Sequence, residues 1–319
     1  MYLKEKTVKG KKYFYLAESF RLPNGKVSSI EKGIPEKSPL QELEKKHVNF
    51  FIEKKKEAFA KYAIKNYKAD SVFSKSEFEK SESIKVDYQR TIRSFTKSQL
   101  KDVFDRFIAN FTYESNAIEG NSLTLKDVAI VMFEKRSIEG KDLREIYETR
   151  NSRPVMDLLL RKKFDVSEKS VIKMHEMLMK DMDERTGYKQ IPNYIPGSNV
   201  EFTPPEKVEE EMGKLIEWYN KSIETMHPIQ VSALFHGKFI KIHPFEDGNG
   251  RVGRFISNAI LTNHDYPPFI IRKTQREAYI KCMQDFFRGY TQNLERLFLR
   301  KYKDTYRKFF EVYLKYIKK

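Results

Sequence analysis

The stretch Ile242–Phe255, IHPFEDGNGRVGRF, packs a histidine, two acids, three glycines and two arginines into a chain otherwise dominated by Lys and Glu. Pro244 restricts the backbone of His243, so a helix arriving from the N-terminal side stops at the histidine and aims the ring into whatever the loop surrounds. Gly248-Asn249-Gly250 permits a tight turn whose successive N–H groups point inward as an anion nest. That turn feeds a helix starting near Arg251, and a helix N-terminus beside a nest suits phosphate oxygens. Arg251 and Arg254 lie three apart and share a helix face, where two guanidiniums could clamp a polyphosphate. Asp247 beside such a site would repel phosphate unless a cation intervened, and magnesium held by one or two carboxylates plus phosphate oxygens is the usual answer. His243 suits a general base toward a hydroxyl. Together these groups spell nucleotidyl or phosphoryl transfer.

Competing readings of the same residues fare worse. A calcium loop built on Asp247 and Asn249 would put Val252 where glycine is required and Asn258 where glutamate is required. His236 and His243, seven apart, lack a third ligand at zinc-like spacing. A GxxxxGK[ST] phosphate loop is absent.

Away from the loop, 319 residues exceed the usual single domain and fit one large domain plus an accessory module. With 24 Phe and 18 Tyr the chain can build a core. The lone Cys282 cannot form an internal disulfide, and no stretch approaches a membrane span, so the expectation is a soluble cytoplasmic protein. The net charge of +16 comes from 61 basic residues interleaved with 45 acids, which speaks to a solvated surface first and to a phosphate-rich partner second.

Residues 1–37 alternate in strand fashion around GK and PNG, which predicts a three-stranded meander ending near Pro35. A helical connecting region over 38–95 follows, opening at SPLQ with Leu40, Leu43, His47, Phe50, Phe51 and Ile64 at helical spacing. Leu100, Val103, Phe104, Phe107, Ile108 and Phe111 form one stripe of a core-facing helix over about 100–120. Helical patterns continue to the C-terminus, interrupted at RTGYKQIPNYIPGSNVEFTPPEKV, whose Gly, Pro and Asn punctuation predicts a hairpin or extended flap. The fold class is mainly α: a helical core over 96–319, preceded by a small β-meander and helices.

HPFEDGNGRVGR, over 243–254, resembles the signature HPFx(D/E)GNGRxxR of the Fic family. The likeness extends to the helix HPIQVSALFHGKFIKI, to the flap with its TPPEKV exit and, more loosely, to REAYIKCM, in all about residues 100–300. Membership implies a mostly helical protein that transfers AMP from ATP to a Ser, Thr or Tyr hydroxyl of a protein target. His243 would deprotonate the hydroxyl and Asp247 would hold Mg2+. Gly248, Asn249, Gly250 and Arg251 would cradle the phosphates, and Arg254 would hold the γ-phosphate. The flap, about 187–200, would bind the target by strand addition. SNAIEGN resembles the family's inhibitory signature (S/T)xxxE(G/N), with Ser115, Glu119 and Gly120 in place. Glu119 would then occupy the arginine that the γ-phosphate needs. The same residues also read as a helix C-terminus with Gly and Asn as stop signals. No sharp motif marks an adenine pocket; Tyr279 and Phe287 could line it or belong to the core, and Asn258 could cap packing.

The leading expectation is an autoinhibited, Mg2+-dependent protein adenylyltransferase, with self-modification and a homodimer as further expectations of the family. The alternatives are a de-AMPylase in which Glu119 activates water, and a basic nucleic-acid-binding regulator acting through residues 1–95 with an inactive core.

Overall fold

The computed structural model describes residues 1–36, 38–185, 187–194 and 200–313. The chain divides into two compact units, 1–87 and 88–319.

In the first unit, β1 (Tyr2–Val8), β2 (Lys11–Arg21) and β3 (Val27–Ile34) form an antiparallel sheet in sequence order. Tyr2 pairs with Ala17 and Val8 with Lys11; Phe14 pairs with Ile34 and Arg21 with Val27. The first turn places Lys9 and Gly10 at φ 50° and 75°, the two left-handed residues that match the twist of a tight hairpin. Three strands cannot enclose a core, so the sheet needs a cover. Helix α1 (Leu40–Asn66) supplies it: Leu43 and Phe51 close over Leu16 and Ile34. Helix α2 (Lys75–Ser94) carries the boundary between the units.

The second unit is helical. Its elements are α3 (Lys97–Ile118), α4 (Leu125–Ala129) continued by a π turn at Ile130–Glu134, α5 (Leu143–Leu160), α6 (Glu168–Met179), α7 (Val208–Ser222), α8 (Pro228–Ile242), α9 (Asn249–Asn263), α10 (Arg276–Phe287) and α11 (Gln292–Phe309). Helix α9 is the hub, packed by α8, α5, α6 and α3 and buried along nearly its whole length. An α-helix buried on all faces should be apolar, yet α9 buries Arg251 and Arg254 at 1% and 4% exposure. Such charges demand anionic partners.

Helix α3 starts at a capping box in which Thr96 and Gln99 exchange side-chain and backbone bonds. Its predicted stripe faces the core through Val103, Phe107, Ile108 and Phe111, while Leu100 and Phe104 are half-buried. Phe111 meets Phe255 edge-on at 4.9 Å, fixing α3 against α9. The helix ends at Glu119, and Gly120 adopts φ 103°, a conformation that favours glycine. Glu119 is therefore presented by a helix terminus locked at one end by its cap and in the middle by aromatic packing. No helix among the described residues is long and apolar enough to cross a membrane.

Candidate active site

Helix α8 ends at Ile242 and His243 takes a left-handed conformation, φ 53° and ψ 60°, with its N–H still bonded to the Phe239 carbonyl. Pro244 explains the termination and the reversal turns the chain toward α9. The following loop is tied to its surroundings through its backbone. Asn249 accepts from the Phe245 N–H at 2.9 Å and donates to the Phe245 carbonyl at 2.7 Å. His175 of α6 stacks on the Phe245 ring at 3.8 Å and donates from Nε2 to the Asp247 carbonyl at 3.0 Å. Asn249 is thus a staple of the loop through its side chain, and only its backbone is left to meet a phosphate.

The expected glycine turn is narrower than its sequence suggested. Gly248 alone uses a left-handed backbone, at φ 78°, as the N-cap of α9, and Asn249 and Gly250 already belong to the helix. The first intrahelical bond is Val252 N–H to the Gly248 carbonyl at 2.9 Å. The amides of Asn249, Gly250 and Arg251 therefore precede the intrahelical ladder and face outward from the N-terminus, an anion-binding arrangement. Gly250 serves by lacking a side chain: a Cβ there would overlap the Glu119 carboxylate and stand 3.1 Å from Arg254 Nη1.

Both arginines converge on Glu119. Arg254 Nη2 donates to Glu119 Oε1 at 2.7 Å, and Arg251 Nε donates to Oε2 at 3.2 Å. Arg254 also donates to the Ser115 hydroxyl at 2.8 Å and the Ser115 carbonyl at 2.9 Å. One turn of α3 thus supplies three acceptors to one buried guanidinium. The Glu119–Arg251 contact is an addition to the sequence reading, which paired Glu119 with Arg254 alone. Arg251 Nη2 meets Met179 Sδ at 3.2 Å, and its Nη1 is buried without a hydrogen-bond partner among the described residues. An orphan donor on a buried cation, beside free helix amides, is a place prepared for an anion.

Asp247 is more exposed. Its Oδ1 accepts from the Gly248 N–H at 2.6 Å, and Oδ2 pairs with Arg144 of α5 and stands 3.9 Å from Arg251 Nη2. Glu148 of α5 lies 3.7 Å from Arg251 Nη2 and accepts from Asn121 at 2.9 Å. Arg144 and Glu148 carry no local sequence signal, being ordinary charges on a helix. Among the described residues no group of three His, Cys, Asp or Glu side chains could hold a metal ion. The donor set suits a hard cation that shares one carboxylate with phosphate oxygens, not a closed protein cage.

His243 is partly buried and tilted against Phe202, with ring centroids 4.1 Å apart. Its Nδ1 donates to the Ile240 carbonyl at 3.3 Å, which leaves the Nε2 lone pair available. Burial pushes the imidazole down to about 4, so it is neutral near pH 7, as a base must be. His236 is fully buried between Tyr279, at 2.7 Å, and Ser257, at 3.2 Å. Its structural role excludes it as a metal ligand, and it takes Tyr279 with it into the core. Phe287 meets Phe202 edge-on at 6.5 Å, near the His243 stack. Asn258 spans the Phe269 backbone, accepting at 2.7 Å and donating at 3.2 Å, a packing cap as the sequence allowed.

Of the expected flap, residues 195–199 lie outside the described residues, and 187–194 contain no strand. This segment is anchored on the loop that follows His243: Lys189 N–H reaches the Pro244 carbonyl at 2.9 Å, and Asn193 donates to the Phe245 and Glu246 carbonyls at 3.2 and 3.1 Å.

Comparison with known proteins bears on this geometry. Residues 165–261 match the Fic/DOC family. A protein adenylyltransferase Fic of Nematostella vectensis is 30% identical over 198 residues, 60% of this chain and 45% of that protein. The Drosophila melanogaster protein of the same name is 32% identical over 178 residues, 52% of this chain and 35% of that one. The chain thus spans less than half the length of these relatives. Among solved structures, a Fic domain containing signaling protein from Bacteroides thetaiotaomicron superposes with a TM-score of 0.63 at 21% identity, covering 71% of this chain and 95% of that one. A Fic-1 fragment from C. elegans gives 0.65 at 23% identity, covering 76% and 73%. Both establish the fold.

Proposed function

We propose that this chain, whose residues 165–261 match the Fic/DOC family, is a protein adenylyltransferase held in check by its own Glu119, moving AMP from ATP onto a hydroxyl of a protein target. The observation that carries the reading is the occupancy of Arg254 and Arg251 by one carboxylate at 2.7 and 3.2 Å, at the mouth of a helix N-terminus built for anions. A carboxylate there is an internal stand-in for a phosphate.

The chain's own groups account for the reaction. His243 Nε2 takes the proton from the target hydroxyl, whose oxygen attacks the α-phosphorus while the bond to pyrophosphate breaks. The Ile240 carbonyl holds the imidazole in the tautomer that leaves Nε2 free. The α9 amides and Arg251 Nη1 bind phosphate oxygens, and Arg254 binds the terminal phosphate once Glu119 has withdrawn. Asp247 is the residue that would hold Mg2+, after Arg144 swings away, and the ion would neutralise charge on the departing pyrophosphate. The flap segment, anchored at Pro244, would present the target chain beside His243.

The test is intact mass after incubation with ATP and Mg2+, together with labelled-ATP transfer to lysate proteins. Glu119→Gly is expected to add AMP to itself or to other proteins, and His243→Ala in the same background is not. A Glu119→Gly protein that transfers no more than its His243→Ala counterpart refutes the assignment.

A further inference from the structure

Helices α7 and α8 pack against each other and border an open cleft of about 270 Å³. Buried Leu215 and Ile242 and half-buried Trp218 and Thr203 line it. Ile242 immediately precedes His243, and Thr203 follows Phe202, whose ring lies against His243 at 4.1 Å. The cleft therefore adjoins the site at two points of the chain. The rest of its lining is charged. Lys238 and Lys241, three apart, share the face of α8 that turns to the cleft. Lys214 of α7 already holds Glu210 at 2.6 Å and Glu211 at 2.8 Å, and Glu211 is the one carboxylate in the lining among the described residues. Neither Lys238 nor Lys241 has a carboxylate partner among the described residues. Lys238 stands over the Trp218 ring, 5.1 Å from its centroid. An aromatic face orients an ammonium without cancelling its charge. Burial and then Lys241 lower the Lys238 pKa, as like charges without an anion require. Covering Trp218 needs only the Lys238 stem, and a second ammonium three positions on works against it.

We infer that this cleft docks an acidic side chain of the protein target, an Asp or Glu within a few residues of the hydroxyl that accepts AMP. The inference rests on the adenylyl-transfer reading, which brings that hydroxyl to His243. Size points to a side chain: sites for whole small molecules run to about 300–1,000 Å³, above the volume found here. Charge selects which side chain. Two ammoniums without an acid call for an anion, and Leu215, Ile242 and Trp218 accept the methylenes of its stem. A target chain that carries its hydroxyl to His243 meets the cleft beside it, because Ile242 and Thr203 belong to both places. Pairing with lysines held in advance fixes register and partner choice, and the same two charges disfavour a basic flank. No bond is made or broken in the cleft, so it acts on the KM of the protein target and not on the chemical step.

Trp218 is the chain's single tryptophan, so its emission reports on the cleft directly. Hexaglutamate titrated into the wild-type protein is expected to shift that emission saturably, and hexaglutamine is not. In Lys238→Gln/Lys241→Gln the affinity should fall about tenfold, the scale of two half-exposed ion pairs, and Lys238→Arg/Lys241→Arg should restore it. Because Lys238 also contacts Trp218, Lys241→Gln is measured alone, at an exposed position, and should lose affinity a few-fold. The second arm follows labelled ATP into lysate proteins in the Glu119→Gly background, with the modified sites, its own included, mapped by mass spectrometry. Those sites should carry Asp or Glu close to the hydroxyl. Adding Lys238→Gln/Lys241→Gln should lower transfer to them about tenfold, with ATP–Mg2+ affinity by calorimetry unchanged. No saturable response to hexaglutamate, an equal response after the double substitution, or mapped sites without acidic flanks overturns the inference. A fall in ATP–Mg2+ affinity does so too, since the cleft would then be a nucleotide subsite, as does inorganic phosphate binding tighter than hexaglutamate. If Glu119→Gly transfers nothing, the adenylyl-transfer reading fails and the target role of the cleft with it, whereas the hexaglutamate titration still decides whether the cleft takes a carboxylate.

Discussion

Replacing Glu119 by Gly tests the central contact of the site. The carboxylate makes two charge-assisted bonds, at 2.7 Å to Arg254 and 3.2 Å to Arg251, and each such bond is worth about 1.5–3 kcal/mol. The Glu119 side chain is 31% exposed, so water competes for it and a net of about 2–3 kcal/mol remains. On the proposed reading that energy would hold the arginines away from phosphate, and at about 1.4 kcal/mol per decade it would suppress productive ATP binding about 30- to 150-fold. The variant should therefore bind ATP–Mg2+ tighter than wild type by that factor in calorimetry, and its transfer rate should rise in step. Without nucleotide it should melt lower than wild type, since Arg251 loses its hydrogen-bonded acid and keeps only Glu148 and Asp247 at 3.7 and 3.9 Å, and Arg254 keeps only the Ser115 bonds at 2.8 and 2.9 Å. Saturating ATP should raise its melting temperature more than that of wild type. Equal ATP affinity and equal transfer in the two proteins would refute the reasoning, because the carboxylate would then not compete with phosphate at all.

Other outcomes follow from the same geometry. In the Glu119→Gly background, His243→Ala should cost about 10²–10⁴ in rate while leaving ATP affinity within a few-fold; a parallel loss of affinity in calorimetry would mean the ring is needed for binding and not for proton transfer. Gly250→Ala should destabilise the wild type by about 1–3 kcal/mol, because its methyl overlaps the Glu119 carboxylate, and far less in the Glu119→Gly protein. A double-mutant cycle in denaturant with no coupling between the two positions would contradict that contact. For His236, burial lowers the imidazole from its ordinary 6.5 to about 3, so the unfolded chain takes up a proton that the folded one refuses. Its contribution is complete above about pH 6.5 and is lost as the pH falls toward 3, at up to about 1.4 kcal/mol per unit. Denaturant melts between pH 7 and 4 should show a shallower slope in His236→Phe, and an identical slope in both proteins would dispose of the point.

The loop from His243 to Arg254 was readable because its chemistry is contiguous. A proline ends one helix, a left-handed glycine starts the next, and both act within a few residues. The strands over 1–34 and the aromatic stripe of α3 were equally local, visible as alternation and as helical spacing. Gly120 and Glu119 could be read two ways from sequence, as a helix stop and as an inhibitor. The structure places the carboxylate at that stop in contact with Arg254 and Arg251.

What the amino-acid order determined by itself was which backbone segments become helix, strand or turn, and where a histidine, a glycine turn and two guanidiniums sit along one short segment. Those properties depend on neighbours a few positions apart, where steric limits and side-chain periodicity act directly. The tertiary fold alone decided which charges meet: Glu119 with Arg251 and Arg254 across 132 and 135 positions, Arg144 with Asp247 across 103, and His175 with the Asp247 carbonyl across 72. It also separated Tyr279 and His236 into the core. Pairings of that kind arise from how buried faces of distant helices close on one another, and no local periodicity encodes them.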